Sequence, residues 1–120
     1  MTCAEAITAA DALRPNQYPA EQKLRWLGEL DAKLLNELRP LDPTLPEAVP
    51  ETLTLSDTLL APFPYAGELY TTWLFTRIDY HNGEIARYNQ SAALFQQAFR
   101  DCVSHWNRTR VPTPGARWRL

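Results

Sequence analysis

The 120-residue chain contains only four glycines, none clustered, so it has no glycine-rich loop to cradle a phosphate. Its two cysteines, Cys3 and Cys102, form neither a CxxC pair nor a zinc-finger spacing. A disulfide framework is therefore not expected, and the pattern suits a reduced intracellular setting. No stretch approaches the roughly 18 apolar residues that a membrane span requires. The N-terminus MTCAEAITAADALRP lacks the basic start and continuous apolar run of a signal peptide. These shortages together predict a soluble protein made in the cytoplasm, with no membrane partner.

Apolar material, in contrast, is ample. Hydrophobic residues make up 45% and aromatic residues 11% of the chain, enough for one compact domain with a real core. The net charge of −2 says little alone, but its distribution is uneven. Residues 1–101 carry eight basic and fourteen acidic side chains, a net of −6, whereas residues 102–120 carry Arg108, Arg110, Arg117 and Arg119 and no acid. Opposite charge at the two ends of one chain favours attraction between subunits or between different proteins. The domain is expected to span residues 1–112, followed by a basic tail over 113–120.

Proline placement divides the chain. Six of the ten prolines fall between Pro40 and Pro64, and none between Tyr65 and Val111. Proline removes a backbone donor and clashes inside a helix, so only the second of these stretches permits a long helix. The predicted fold is all-α. Thr2 caps a short first helix over Cys3–Leu13, ended by Arg14-Pro15-Asn16. A second, amphipathic helix starts near Pro19, where a missing N–H costs nothing. It buries a stripe of Leu24, Leu27, Leu30, Leu34 and Leu38 and closes at Pro40. Residues 40–64 form a Pro-rich loop. Leu53 and Leu55 permit a short extended stretch there, and Ser56 or Asp57 can cap a turn over Thr58-Leu59-Leu60. Its scattered apolar residues imply that it packs on something, for example another subunit.

From residue 65 onwards, Leu74, Ile78, His81, Ile85, Tyr88, Ala92, Phe95, Phe99, Cys102 and Trp106 recur with alternating gaps of four and three. This unbroken heptad-like phase favours one long helix, or two nearly collinear ones, over a hairpin, with Gly83 and the Asn89/Ser91 cluster as the kink points. At ~1.5 Å per residue, residues 65–109 would span about 65 Å, too long for a domain of this size to satisfy by itself. Such a helix needs partners.

Two groupings have catalytic or ligating residue types. His81 and Glu84 stand i,i+3 beside Asp79, as metal ligands on a helix can. A carboxylate-type site needs further ligands from other helices, and no ExxH or HExxH pattern exists, so a register-fixing polar residue is the stronger reading. Cys102, His105 and Asp101 place a thiol one turn from an imidazole. Cys102, however, lies on the apolar stripe, where cysteine acts as a small hydrophobe, and no glycine turn offers an oxyanion site. No catalytic residue, metal or cofactor is assigned, and the chain is not expected to be an enzyme. Trp26, Tyr70, Trp73, Tyr80 and Tyr88 serve the core or an interface equally well. The candidate partner-binding residues are Arg108, Arg110, Arg117, Trp118 and Arg119. Four arginines on an acidic chain fall short of a basic nucleic-acid recognition face.

Four blocks carry a resemblance in their order and spacing. They are LRPN (13–16) with QKLRWLGELD (22–31); LLAPFPY (59–65) with Leu69-Tyr70; RIDY (77–80) through EIARYN (84–89); and SAALF (91–95) through NRTRVP (107–112). The chain resembles, over residues 13–112, a family of small proteins encoded near the portal gene of tailed bacteriophages and prophages. That resemblance implies a structural virion protein at the head–tail junction, a connector or adaptor docking as a ring beneath the portal. Its expected partners are further copies of itself, the portal protein and the next tail or connector component, with transient non-specific contact with DNA in the channel. The competing class is a small helical DNA-binding or packaging-associated factor.

Overall fold

A computed structural model describes residues 1–109 and shows four helices and no strand among them. Helix α1 spans Cys3–Leu13, α2 Ala20–Leu38, α3 Ala66–His81 and α4 Ile85–Thr109. The all-α class and the order of elements agree with the sequence.

Helix α1 starts on a reciprocal capping box. The Thr2 hydroxyl accepts from the Glu5 N–H at 3.2 Å, and the Thr2 N–H donates to the Glu5 carboxylate at 2.8 Å. The second of these bonds holds the Glu5 carboxyl below its ordinary range. Two further N–H groups at the start of α1 are met from the Pro-rich segment: Cys3 donates to the Asp57 carbonyl and Ala4 to the Leu55 carbonyl, both at 2.9 Å. Leu59 N–H donates back to the Met1 carbonyl at 2.9 Å. The long loop thus doubles as the cap of the first helix.

The second stripe lies where the spacing put it. Leu27, Leu30, Leu34 and Leu38 of α2 are fully buried, and only Leu24 is left half-buried. Residues 40–64 contain no extended strand, only an isolated bridge from Thr58 to Thr2. Asp57 caps no turn over 58–60. Its carboxylate instead accepts from the Thr54 N–H at 2.7 Å, closing a turn over 54–57. Leu53, Leu59 and Ala61 are buried in the chain's own core, whereas Leu55 and Phe63 of the same segment are exposed.

The main departure from expectation lies in residues 65–109, which are two helices packed back to back rather than one. Helix α3 ends at Gly83, which takes a left-handed φ of 74°. Gly83 N–H donates to the Tyr80 carbonyl and Glu84 N–H to the Asp79 carbonyl, both at 3.1 Å, the paired bonds of a Schellman terminus. Three cross-helix contacts fix the antiparallel register. Ser91 bonds Asp79, the Phe95 ring lies 5.0 Å from Trp73, and the His105 ring lies 4.6 Å from Tyr65. The chain turns at Gly83, whereas Asn89 lies inside a continuous α4. The heptad-like stripe survives as two facing halves. Leu74 and Ile78 face Phe95, Cys102 and Trp106 in the core, while His81 and Ile85, at the turn, are exposed. A helix too long for its own domain therefore does not exist, and the need for partners cannot be argued from length.

Candidate interaction surfaces

Three polar clamps fix the backbone that carries the exposed side chains. The first joins α2, α3 and the end of the Pro-rich loop. The Tyr70 hydroxyl donates to Asp31 Oδ1 at 2.6 Å and accepts from the Ala61 N–H at 2.8 Å, while Leu60 N–H donates to Asp31 Oδ2 at 3.0 Å. Burial raises the Asp31 carboxyl above its ordinary value, partly offset by the bonds from Tyr70 and Leu60. Tyr70 is pushed far up by its own burial and by Asp31, so its phenol stays protonated.

The second clamp ties the start of the α1–α2 connection to the hairpin. Asp79 is 1% exposed, receives Arg14 Nη1 on both oxygens at 3.2 and 3.4 Å, and accepts from the Ser91 hydroxyl at 2.7 Å. The Arg14 guanidinium also lies 4.7 Å from the Phe75 ring centre. The third clamp sets buried Lys23 of α2 on both oxygens of Asp11 of α1, at 2.9 Å each.

On this frame, large apolar side chains remain exposed at both ends of α3, and also at Leu55 of the Pro-rich segment and Leu94 of α4. Phe63 is 92% exposed. It sits in a turn closed by Tyr65 N–H and Ala66 N–H, both donating to the Pro62 carbonyl at 3.0 Å, just past the residues held by Asp31 and Tyr70. The Phe63–Pro64 peptide is cis. At the other end of α3, Ile85 is 75% and Tyr80 56% exposed; Leu13 is 73% exposed beside Arg14, which reaches Asp79. Tyr80, Gly83, Ile85 and Tyr88 line a shallow cavity of about 320 Å³ at that turn.

The two groupings with ligating or catalytic residue types are not assembled as sites. Asp79 is committed to Arg14 and Ser91, and Glu84 pairs with Arg87 at 3.1 Å. His81 stacks on Trp26 at 5.2 Å and meets Tyr18 and Tyr80 edge-on. It is an aromatic contact joining α3 to α2, with Tyr18 further tied to Asn82 by a 2.7 Å hydrogen bond. In the second grouping, burial pushes the Cys102 thiol up to about 11, the opposite of activation. His105 packs on Tyr65, and Asp101 accepts from Gln97 at 2.9 Å. Cys3 is likewise raised to about 11, first by burial and then by Asp31. Among the described residues, no group of three or more His, Cys, Asp or Glu side chains is placed to hold a metal ion.

No family model, curated protein or solved structure matches the chain. No helix among the described residues is long and apolar enough to cross a membrane.

Of the expected partner-binding residues, Arg108 lies exposed on the last turn of α4. Arg110, Arg117, Trp118 and Arg119 lie outside the described residues. Sequence reasoning did not single out Phe63, Ile85 or Leu13. The only available signal was Phe63 between two prolines, where neither neighbour permits a helix that would bury it.

Proposed function

We propose that the chain is a structural assembly protein, a subunit of a tailed-phage or prophage virion that joins copies of itself head to tail in a ring at the head–tail junction. The observation carrying this reading is the pairing of two exposed apolar features, Phe63 at one end of α3 and the Tyr80 and Ile85 patch at the other. A ring is built from heterologous contacts, in which one surface of each copy meets a different surface of the next. Two unlike apolar surfaces at opposite ends of a clamped scaffold meet that requirement. The sixteen residues of α3 hold them apart by about 24 Å at ~1.5 Å per residue. The residue blocks shared with the connector-like family point to the same class, with the portal protein and the next tail component as further partners. The Arg-rich C-terminal segment adds a basic contact.

The test is light scattering on purified protein, alone and with portal protein. Phe63→Glu and Ile85→Glu each remove one of the two surfaces, and each variant alone should fail to self-associate. Mixed, the first retains an intact turn patch and the second an intact Phe63, so single 1:1 complexes should form and grow no further. If both variants assemble like the wild type, the reading is lost. Nucleic-acid affinity falling steeply with salt, in place of self-association, would favour the packaging-factor class instead.

A further inference from the structure

We infer that the C-terminal segment 110–120 of one copy seats in the groove between α2 and residues 49–53 of the next copy. This deepens the assembly reading and rests on it. The groove has a volume of about 700 Å³. Leu24, Gly28, Val49 and Leu53 contribute its apolar floor, and Glu21, Glu29 and Glu51 stand along it against a single base, Arg25. Glu21, Glu29 and Glu51 are exposed. At Gly28 the α2 backbone approaches Leu53, whose Cδ1 and Cγ would lie 3.6 and 4.0 Å from an added Cβ.

The segment that complements this groove is in the same sequence. VPTPGARWRL together with Arg110 holds three arginines, no acid and a tryptophan set between two of the arginines. An indole suits an apolar floor, and guanidinium groups on either side suit carboxylates along the walls. Eleven residues reach at most about 36–40 Å at ~3.3–3.6 Å each, ample for crossing to a neighbour.

The choice of the neighbour over the chain's own groove rests on the head-to-tail assembly proposed above, and the direction of α4 is compatible with it. Helix α4 runs from the turn at Gly83 to Thr109, so His105 lies against Tyr65, at the start of α3. The groove is built on the first part of α2, whose Trp26 stacks on His81 at the other end of α3. The chain therefore leaves α4 at the Phe63 end, while the groove runs along α2 from Ala32, beside Asp31, to Glu21. The groove thus extends toward the end that carries the Ile85 patch, and both contacts are compatible with one head-to-tail polarity.

Charge exchange on the full chain tests this. Glu29→Lys with Glu51→Lys makes the groove basic, and Arg117→Glu with Arg119→Glu makes the segment acidic. Each double variant alone should self-associate at least about ten-fold more weakly than the wild type in sedimentation velocity, because like charges then face each other. An equimolar mixture of the two should regain association, since every groove finds a segment of opposite sign on the other variant. Unchanged circular dichroism melting would show that both variants fold. A mixture that behaves like its components, as expected if each segment lay in its own groove, overturns the inference. So does undiminished association of either variant, or a wild-type chain that stays monomeric at every concentration reached. These four positions are distinct from Phe63 and Ile85. Failure of the apolar contact with successful charge exchange would therefore overturn the ring reading but leave this seat standing, and the reverse result would do the opposite.

Discussion

Asp31 and Asp79 are buried to nearly the same degree, 4% and 1% exposed, yet the protein provides for them differently. Asp79 has a cation, Arg14, together with the Ser91 hydroxyl. Asp31 has only neutral donors, the Tyr70 hydroxyl and the Leu60 N–H, and burial raises its carboxyl. The difference follows what each clamp holds. Asp79 ties together elements of the turn end, where Arg14, α3 and α4 meet beside Tyr80 and Ile85. Asp31 holds backbone, the Leu60 N–H directly and the Ala61 N–H through the Tyr70 hydroxyl, groups with no helix or sheet partner, and so fixes the base of the Phe63 turn. One end of the molecule is secured by a buried ion pair, the other by a buried hydroxyl relay.

The largest break in this comparison should come from Arg14→Ala. It leaves a buried carboxylate with Ser91 as its remaining partner and also removes the stacking on Phe75. Breaking a buried pair from one side costs about 3 kcal/mol, at the low end of the usual range because Arg14 is itself 24% exposed. For a chain of this size that is a fall in Tm of roughly 15 °C. Calorimetry showing a loss of only a degree or two would mean that Asp79 does not depend on Arg14.

Tyr70→Phe should come next. The ring volume is kept, so the core stays filled, but the Ala61 N–H loses its acceptor and Asp31 loses a donor, at a cost of about 2 kcal/mol. The damage should be local to one end. Hydrogen exchange at Ala61 and Leu60 should accelerate, while amides near Ser91 and Asp79 slow or speed only with global stability. Uniform acceleration throughout the chain would show that the relay is not a separate anchor of the Phe63 turn.

How much of this was legible in the sequence depends on the kind of signal each element carries. The α1 start was readable because Thr2 is a local cap, and the α2 stripe because leucines at helical spacing need no knowledge of the rest of the chain. The turn at Gly83 was marked as a kink but not as a reversal. A three-residue connection preserved the four-and-three phase from Leu74 to Trp106, and periodicity alone cannot tell one helix from two that turn back without losing step. Distinguishing them needed the left-handed φ and the two Schellman bonds. The clamps were beyond reach for another reason. Asp31 with Tyr70 and Arg14 with Asp79 are 39 and 65 residues apart, and a carboxylate on a helix reads as solvated until its partner is placed. The exposed apolar residues were hidden in the same way, because Ile85 lay on a stripe that looked wholly buried. The sequence blocks on which a connector-like resemblance was expected say nothing, meanwhile, of which surfaces an assembly role would use.

The smallest effect, and the sharpest on the contrast itself, is in pH. Asp31 has a raised carboxyl in the folded chain, so folding favours its protonated form. The stability it contributes is fully present below the unfolded carboxyl value and is lost as pH rises through the raised folded value. Asp31→Asn cannot titrate and loses nothing over that window, although its amide must present a donor toward either Leu60 N–H or the Tyr70 hydroxyl. Stability measured by denaturant unfolding should therefore favour the wild type most at acidic pH, with its margin over Asp31→Asn shrinking as pH rises through the window just above the ordinary carboxylate range. A margin that widens with pH would mean that the two donors, rather than burial, control Asp31.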